Sequence, residues 1–249
     1  MKGVRLRAGA ALAVASISIA PHTAHAYHVD PAYDRDRTAL AVVHPDGRIS
    51  MSPAAEDARP ALSLAKLYLG YYVLYHGTDA EKDEVAGMIA SSDDAVATEL
   101  DAKYPEAIDE IAEDFDLRQT SRAGYWGKTV TSARDVATFT SSIIWDPVAK
   151  PLLTGMKQQE KVAKDGFIQG FGTARLERVK GSKMGWADDR ESATGSVSWG
   201  EIGDETWAVA ALTEGSAYQN TVDTRVGIRQ VEDQAASTMA DYKEWRKQW

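Results

Sequence analysis

Apolar residues in this chain recur at every second position near both ends and at every third or fourth through the middle, a segregation that few architectures accommodate. Thr38-Ala-Leu-Ala-Val-Val43 reads as a strand and Arg48-Ile-Ser-Met51 as its return. Between them His44-Pro-Asp-Gly47 is a turn, with proline presetting φ and glycine tolerating a positive φ. Pro53 to Pro60 reads as a loop, and a helix is predicted from Ser63 to His76, stopped by Gly77. Helical spacing continues from Ala80 to about Leu153. Val85, Met88 and Ile89 form one face, Ala107, Ile108, Ile111, Ala112 and Phe115 another, and Ser132-Ala-Arg-Asp135 caps a helix over Val136 to Ile144. The charges from Asp101 to Asp116 read as the solvated side of a helix. Strand patterns return at Gly166 to Val179, Ser182 to Trp186, Thr194 to Gly200 and Thr206 to Leu212. Val222, Val226, Val231, Ala235, Met239, Tyr242 and Trp245 or Trp249 then predict a closing amphipathic helix. The expected fold class is α+β: one antiparallel sheet of about five strands flanked by helices. A helical lobe, 63–153, is inserted between strands 2 and 3, and an α/β lobe is built from 27–62 and 154–249.

At 44% hydrophobic and 26% charged, the 249 residues can build a full core. Lys2, Arg5 and Arg7 precede an almost wholly small or apolar run, Ala8 to Ala20, and Ala24-His-Ala26 supplies a small-x-small cleavage pattern. Residues 1–26 therefore read as a secretory signal peptide, too short and wrongly flanked for a spanning helix, and no other stretch reaches membrane length. The mature chain is expected to begin at Tyr27 and to be secreted or held in the cell envelope. Removing the three leader cations takes the formal charge from −9 to −12, which argues against nucleic acid or an anionic membrane as partner. With no cysteine there is no disulfide framework, thiol nucleophile or thiolate metal site. His22 and His25 leave with the leader, and His28, His44 and His76 are scattered, so neither a histidine triad nor a metal site is expected, and no cofactor is implied.

Three polar clusters carry the candidate chemistry. Ser63-Leu-Ala-Lys66 opens the first helix, so hydroxyl and amine lie one turn apart on one face. A desolvated lysine at that spacing can serve a serine nucleophile as base. Ser92-Asp-Asp94 follows in the helical region, and Lys183-Met-Gly185-Trp186 lies in the third strand. Taken singly, each also fits a plainer role: Ser63 as a helix cap, Ser91 to Asp94 as a cap or turn, and Lys183-x-Gly185 as one of two such matches beside Lys164-Asp-Gly166.

In that order and in those elements, the clusters resemble the active-site serine β-lactamase and penicillin-binding-protein superfamily, whose signatures are S-x-x-K, S-D-N and K-T-G. The resemblance covers Thr38 to Trp249. It implies that Ser63 is an acylated nucleophile, Lys66 its base or orienting partner, and Ser92 a proton relay to the leaving group. Lys183 would place positive charge beside Ser92 and attract a substrate carboxylate, with Gly185 letting the substrate backbone approach. The backbone N–H groups of Ser63 and Trp186 would form the oxyanion hole.

Departures are also visible. Asp94 stands where the family has Asn, and beside Lys66 an ionised carboxylate favours the ammonium and repels a substrate carbonyl. Met184 replaces a hydroxyl that usually bonds a substrate carboxylate. The 29 residues from Ser63 to Ser92 are about half the separation in class A β-lactamases, so the helical lobe is trimmed. No E-x-x-L-N precedes the third cluster, so the class A deacylating carboxylate has no counterpart, and Glu106, Asp109, Glu110 and Glu113 read as surface charges. Pro31 and the short segment from Tyr27 to Arg37 leave little room for the family's N-terminal helix. Trp199 and Trp207 are expected in the core, Trp186 as a pocket wall, and Gln169-Gly-Phe-Gly172 as a turn beside the site or the start of a strand.

The resulting expectation is an exported serine hydrolase working through a Ser63 acyl-enzyme. Its partner would be a small-molecule or peptide substrate, with peptidoglycan-derived peptides, esters and β-lactam-like carbonyls as the candidate classes. The alternative is a catalytically degenerate relative that binds wall fragments or a protein. Nothing in the sequence sets the oligomeric state.

Overall fold

The structure, a computed structural model, describes residues 27–230. The expected leader and the last 19 residues, which hold the predicted Val231 to Trp249 part of the closing helix, lie outside them.

In chain order the elements are β1 (Tyr27–Val29), β2 (Thr38–Val43), β3 (Ile49–Met51), β4 (Arg59–Pro60), α1 (Ala65–His76), α2 (Asp79–Ser91), α3 (Asp94–Lys103), α4 (Ala107–Asp114), β5 (Val130–Thr131), α5 (Ala133–Ile143), α6 (Lys150–Lys157), β6 (Val179–Trp186), β7 (Thr194–Ile202), β8 (Glu205–Thr213), α7 (Ala217–Gly227) and β9 (Ile228–Gln230). The main sheet has the order β3-β2-β8-β7-β6 and is antiparallel throughout, with the helices from α1 to α6 inserted between β3 and β6. This is the α+β architecture expected from the sequence. Two short ribbons, β1 with β9 and β4 with β5, join the first and last described segments and hold the approach to α1.

Strand periodicity explains how the sheet is buried on both faces. Along β2, Ala39, Ala41 and Val43 face the helical core, while Leu40 and Val42 join Trp207 and Val209 of β8 in a second cluster on the other side. Burying both faces requires the near-continuous apolar runs these two strands carry. Helix α1 is apolar around its circumference and is buried from Ala65 to Leu74, as the central helix of a helical layer must be. Trp199 and Trp207 are both core residues.

Three expectations need correction. Of the strand expected over Gly166 to Val179 only Val179 is extended, as the start of β6, and Gly166 to Arg178 is a loop with a 3-10 turn over Gly172–Arg175. Gly172 has φ 58°, and a Cβ there would sit 2.1 Å from Asn220 Oδ1, so the backbone is turned and pressed against α7 rather than extended. The closing helix starts at Ala217 and gives way at Ile228 to β9. Its packed face is polar, with Asn220, Asp223 and Thr224 buried and Val226 exposed. Asp223 explains this inversion: its carboxylate accepts from Arg37 Nε (2.6 Å) and Thr38 Oγ1 (2.7 Å), fastening α7 to the start of β2. Finally, Asp101 is not solvated. It is buried and holds Arg122 through two hydrogen bonds of 2.7 and 2.8 Å, whereas Glu106, Asp109, Glu110 and Glu113 are exposed.

Candidate active site

Ser63 sits in a 3-10 turn, Leu62–Leu64, that runs directly into α1. Leu62 has φ 55°, a costly conformation for a residue with a Cβ, and it turns the chain sharply just before Ser63. The turn packs against β6, the free edge of the sheet, at Gly185. A Cβ on Gly185 would lie 2.7 Å from Ser63 N and from Leu62 Cβ. The glycine thus admits the chain's own serine turn, whereas the sequence suggested room for a substrate backbone.

The Ser-Asp-Asp segment does three jobs in sequence. Ser92 ends α2 in the left-handed region (φ 57°), Asp93 caps α3 by accepting from Ala95 N (3.0 Å), and Asp94 opens its first turn. This compact helix-to-helix corner delivers Ser92 and Asp94 to the lysines. Lys66 Nζ is fully buried and donates to Ser63 Oγ at 2.8 Å and to Asp94 Oδ1 at 2.6 Å, with the Trp126 ring centroid 3.9 Å away. Lys183 Nζ, also fully buried, donates to Ser92 Oγ and to Met184 O, both at 2.8 Å. Ser92 therefore takes its hydrogen bond from Lys183, and among the described residues Lys66 does not bond to it.

Both ammonium groups are under electrostatic pressure. Burial pushes Lys66 below the ordinary lysine range, and the adjacent Asp94 carboxylate works in the opposite direction. Burial holds Lys183 well below its ordinary value, and the charge of Lys66 adds to that effect. Two buried lysines near one another, each bonded to a serine hydroxyl, make a site able to accept protons close to a nucleophile.

Strand register sets the direction of the backbone N–H expected as a second oxyanion donor. Gly185 pairs with Gly195, and Ala187 N donates to Ala193 O (2.9 Å). Trp186, between them, directs its N–H off the free edge of β6. Met184 is fully buried, and its thioether meets the Gln159 amide. It does not line the cleft.

That cleft encloses about 460 Å³, with Ser63, Asp94, Trp126 and Trp186 among its walls. Trp186 forms a wall as expected, stacking on Phe167 (centroids 4.5 Å apart) and donating from Nε1 to Asp165 Oδ2 at 2.9 Å. Tyr125, Trp126, Asp165, Asp188 and Arg190 also line the cleft, and the sequence reading did not single them out. Asp165 lies in the Lys164-Asp-Gly166 turn, so that second K-x-G match does reach the site, although as a loop. Gln169-Gly-Phe-Gly172 is a turn segment; Gln169 is buried and bonds Ala90 O and Glu160 O. Among the described residues no group of three or more side chains could hold a metal ion, and no helix is long and apolar enough to cross a membrane.

No protein-family model and no curated protein matches the chain. Solved structures do. Penicillin-binding protein D2 from Listeria monocytogenes, in its cefotaxime-bound form, superposes with a TM-score of 0.61 at 17% identity, over 79% of this chain and 97% of that one. D-alanyl-D-alanine carboxypeptidase from Mycobacterium tuberculosis gives 0.59 at 15% identity, over 80% and 92%. A β-lactamase from Sphaerobacter thermophilus gives 0.60 at 15% identity, over 75% and 88%. The chain therefore has the fold shared by penicillin-binding proteins, D-alanyl-D-alanine carboxypeptidases and serine β-lactamases.

Proposed function

We propose that this protein is an exported serine acyl-transfer hydrolase that works through a Ser63 acyl-enzyme. Support comes from one piece of geometry: Lys66 Nζ 2.8 Å from Ser63 Oγ and Lys183 Nζ 2.8 Å from Ser92 Oγ, on elements that meet around one cleft. In this mechanism Ser63 Oγ attacks a substrate carbonyl. Its proton passes to Lys66 once that amine is neutral, and the oxyanion is met by the N–H groups of Ser63 and Trp186. Ser92 gives its proton to the leaving group and is reprotonated by Lys183, 2.8 Å away. Water then attacks the acyl carbonyl and restores that proton through Ser92, while Ser63 Oγ departs with the proton held on Lys66. Cell-wall peptides and esters suit an exported protein of this fold better than efficient β-lactam turnover, since no E-x-x-L-N precedes the third cluster. The domain assignment goes with this proposal: a leader over 1–26 and one catalytic domain over 27–249.

A second reading has its own observation. The 2.6 Å ion pair between Lys66 and Asp94 stabilises the ammonium, which cannot accept a proton. A protein locked in that state would bind wall fragments or a protein partner without acylation. Incubating residues 27–249 with a fluorescent penicillin or a fluorophosphonate, beside Ser63→Ala and Asp94→Asn, separates the two. Acyl transfer predicts labelling that Ser63→Ala abolishes. A binding module silenced by this ion pair predicts none in the wild type, with labelling appearing only in Asp94→Asn.

A further inference from the structure

A second concavity, of about 690 Å³, lies between the 166–171 loop, Arg175 and α7. Phe167, Ile168, Phe171 and Tyr218 supply an apolar wall, Arg175, Arg190 and Arg225 supply the charge, and no Asp or Glu lines it. In a chain with 37 acidic and 28 basic residues this is a local reversal of sign. Among the described residues neither Arg175 nor Arg225 lies within 4.0 Å of a carboxylate oxygen, and Arg190 lies only at 3.9 Å from Asp165 Oδ2. Ile168 is 65% exposed and Tyr218 77%, so the apolar wall is open to solvent.

The groove is held in shape before any ligand arrives. Gln169 pins the loop to Ala90 O and Glu160 O at 3.0 Å each, and Gly172 N donates to Thr221 Oγ1 (2.9 Å), joining the loop to α7. It also adjoins the Ser63 cleft. Trp186 stacks on Phe167, the Arg190 guanidinium lies 5.7 Å from the Phe167 centroid, and Arg190 lines both cavities.

We infer that this groove binds one small anionic amphiphile, its phosphate, sulfonate or carboxylate head between the arginines and its apolar tail along Ile168 and Tyr218. Guanidinium forks match such oxyanion heads, and a mostly apolar concavity with a few convergent polar groups is the usual form of a small-molecule site. A concavity of about 690 Å³ has room for a single small molecule. This inference goes beyond the proposed acyl transfer and does not depend on it.

Isothermal titration of residues 27–249 with octyl phosphate, octylamine and inorganic phosphate tests it, with co-sedimentation on phosphatidylglycerol vesicles as a further arm. Octyl phosphate is expected to bind at least about tenfold more tightly than either other solute, and at least about tenfold more weakly to the Arg175→Ala/Arg225→Ala double variant. Ile168→Ser should weaken it several-fold through the tail alone. All three substitutions are at exposed positions, and an unchanged thermal midpoint confirms that the variants fold. Equal affinity for octylamine, no loss in the double variant, no octyl phosphate binding, or binding to vesicles alone would each overturn the inference. Ser63 labelling is a separate readout, whose failure would sink the acyl-transfer proposal and leave this result standing.

Discussion

At Lys66, burial and an adjacent carboxylate pull the proton in opposite directions. If the amine must be neutral to receive the Ser63 proton, removing the carboxylate lowers its pKa, because an anion favours the ammonium. Asp94→Asn should therefore move the rising limb of the labelling-rate pH profile to lower pH and raise the rate at pH 7 several-fold. An unmoved limb would mean that Lys66 is not the base. Lys183 invites a stability test. Its folded-state pKa lies below that of the unfolded chain, so between the two values the unfolded chain binds more protons and stability rises with pH. Lys183→Met, which removes the buried ionisable amine, should stabilise the protein near neutral pH while abolishing labelling. The gain should shrink toward pH 10, and denaturant titrations at pH 7 and pH 9.5 measure both. The residues behind these predictions were legible in the sequence because their chemistry depends on short spacings, such as Ser63 with Lys66. Trp126, which lies under Lys66, was not legible, since only the packed loop brings it there.

Among the elements, β6 sets the site by running against the serine turn. Gly185→Ala places a Cβ against backbone and Leu62, neither of which can swing aside. The expected result is a stability loss of about 1–3 kcal/mol and at least a tenfold fall in labelling rate, read by denaturation and by labelling time courses. A variant of unchanged stability and rate would mean that β6 and the turn are not closely packed. Most strands and helices were readable because period-two and period-3.6 patterns stay local; β2 falls on the predicted Thr38 to Val43. Gly166 to Arg178 and α7 were misread for reasons a one-dimensional pattern does not carry. The first owes its turn to contact with α7, and the second faces inward with the polar residues that Arg37 and Thr38 require.

For the whole molecule, Asp223 links α7 to the sheet and couples folding to acid. Although burial alone would raise its pKa, hydrogen bonds from Arg37, Thr38 and Arg35 hold it at about 2. The folded value is depressed, so the stabilisation is present above the unfolded carboxylate pKa and is lost as pH falls from about 4 toward 2. That loss should amount to about 2 kcal/mol, and Asp223→Asn, already lacking it at pH 7, should show a flatter acid limb. Equal acid limbs in urea titrations at pH 5 and pH 2.5 would count against the clamp. Shared fold alone does not establish the chemistry, since one architecture can host unrelated functions. The most direct test is intact-protein mass spectrometry with peptide mapping after fluorophosphonate treatment of residues 27–249. One adduct on Ser63, absent from Ser63→Ala, is the predicted result; an adduct on another residue, or none in the wild type, would contradict it.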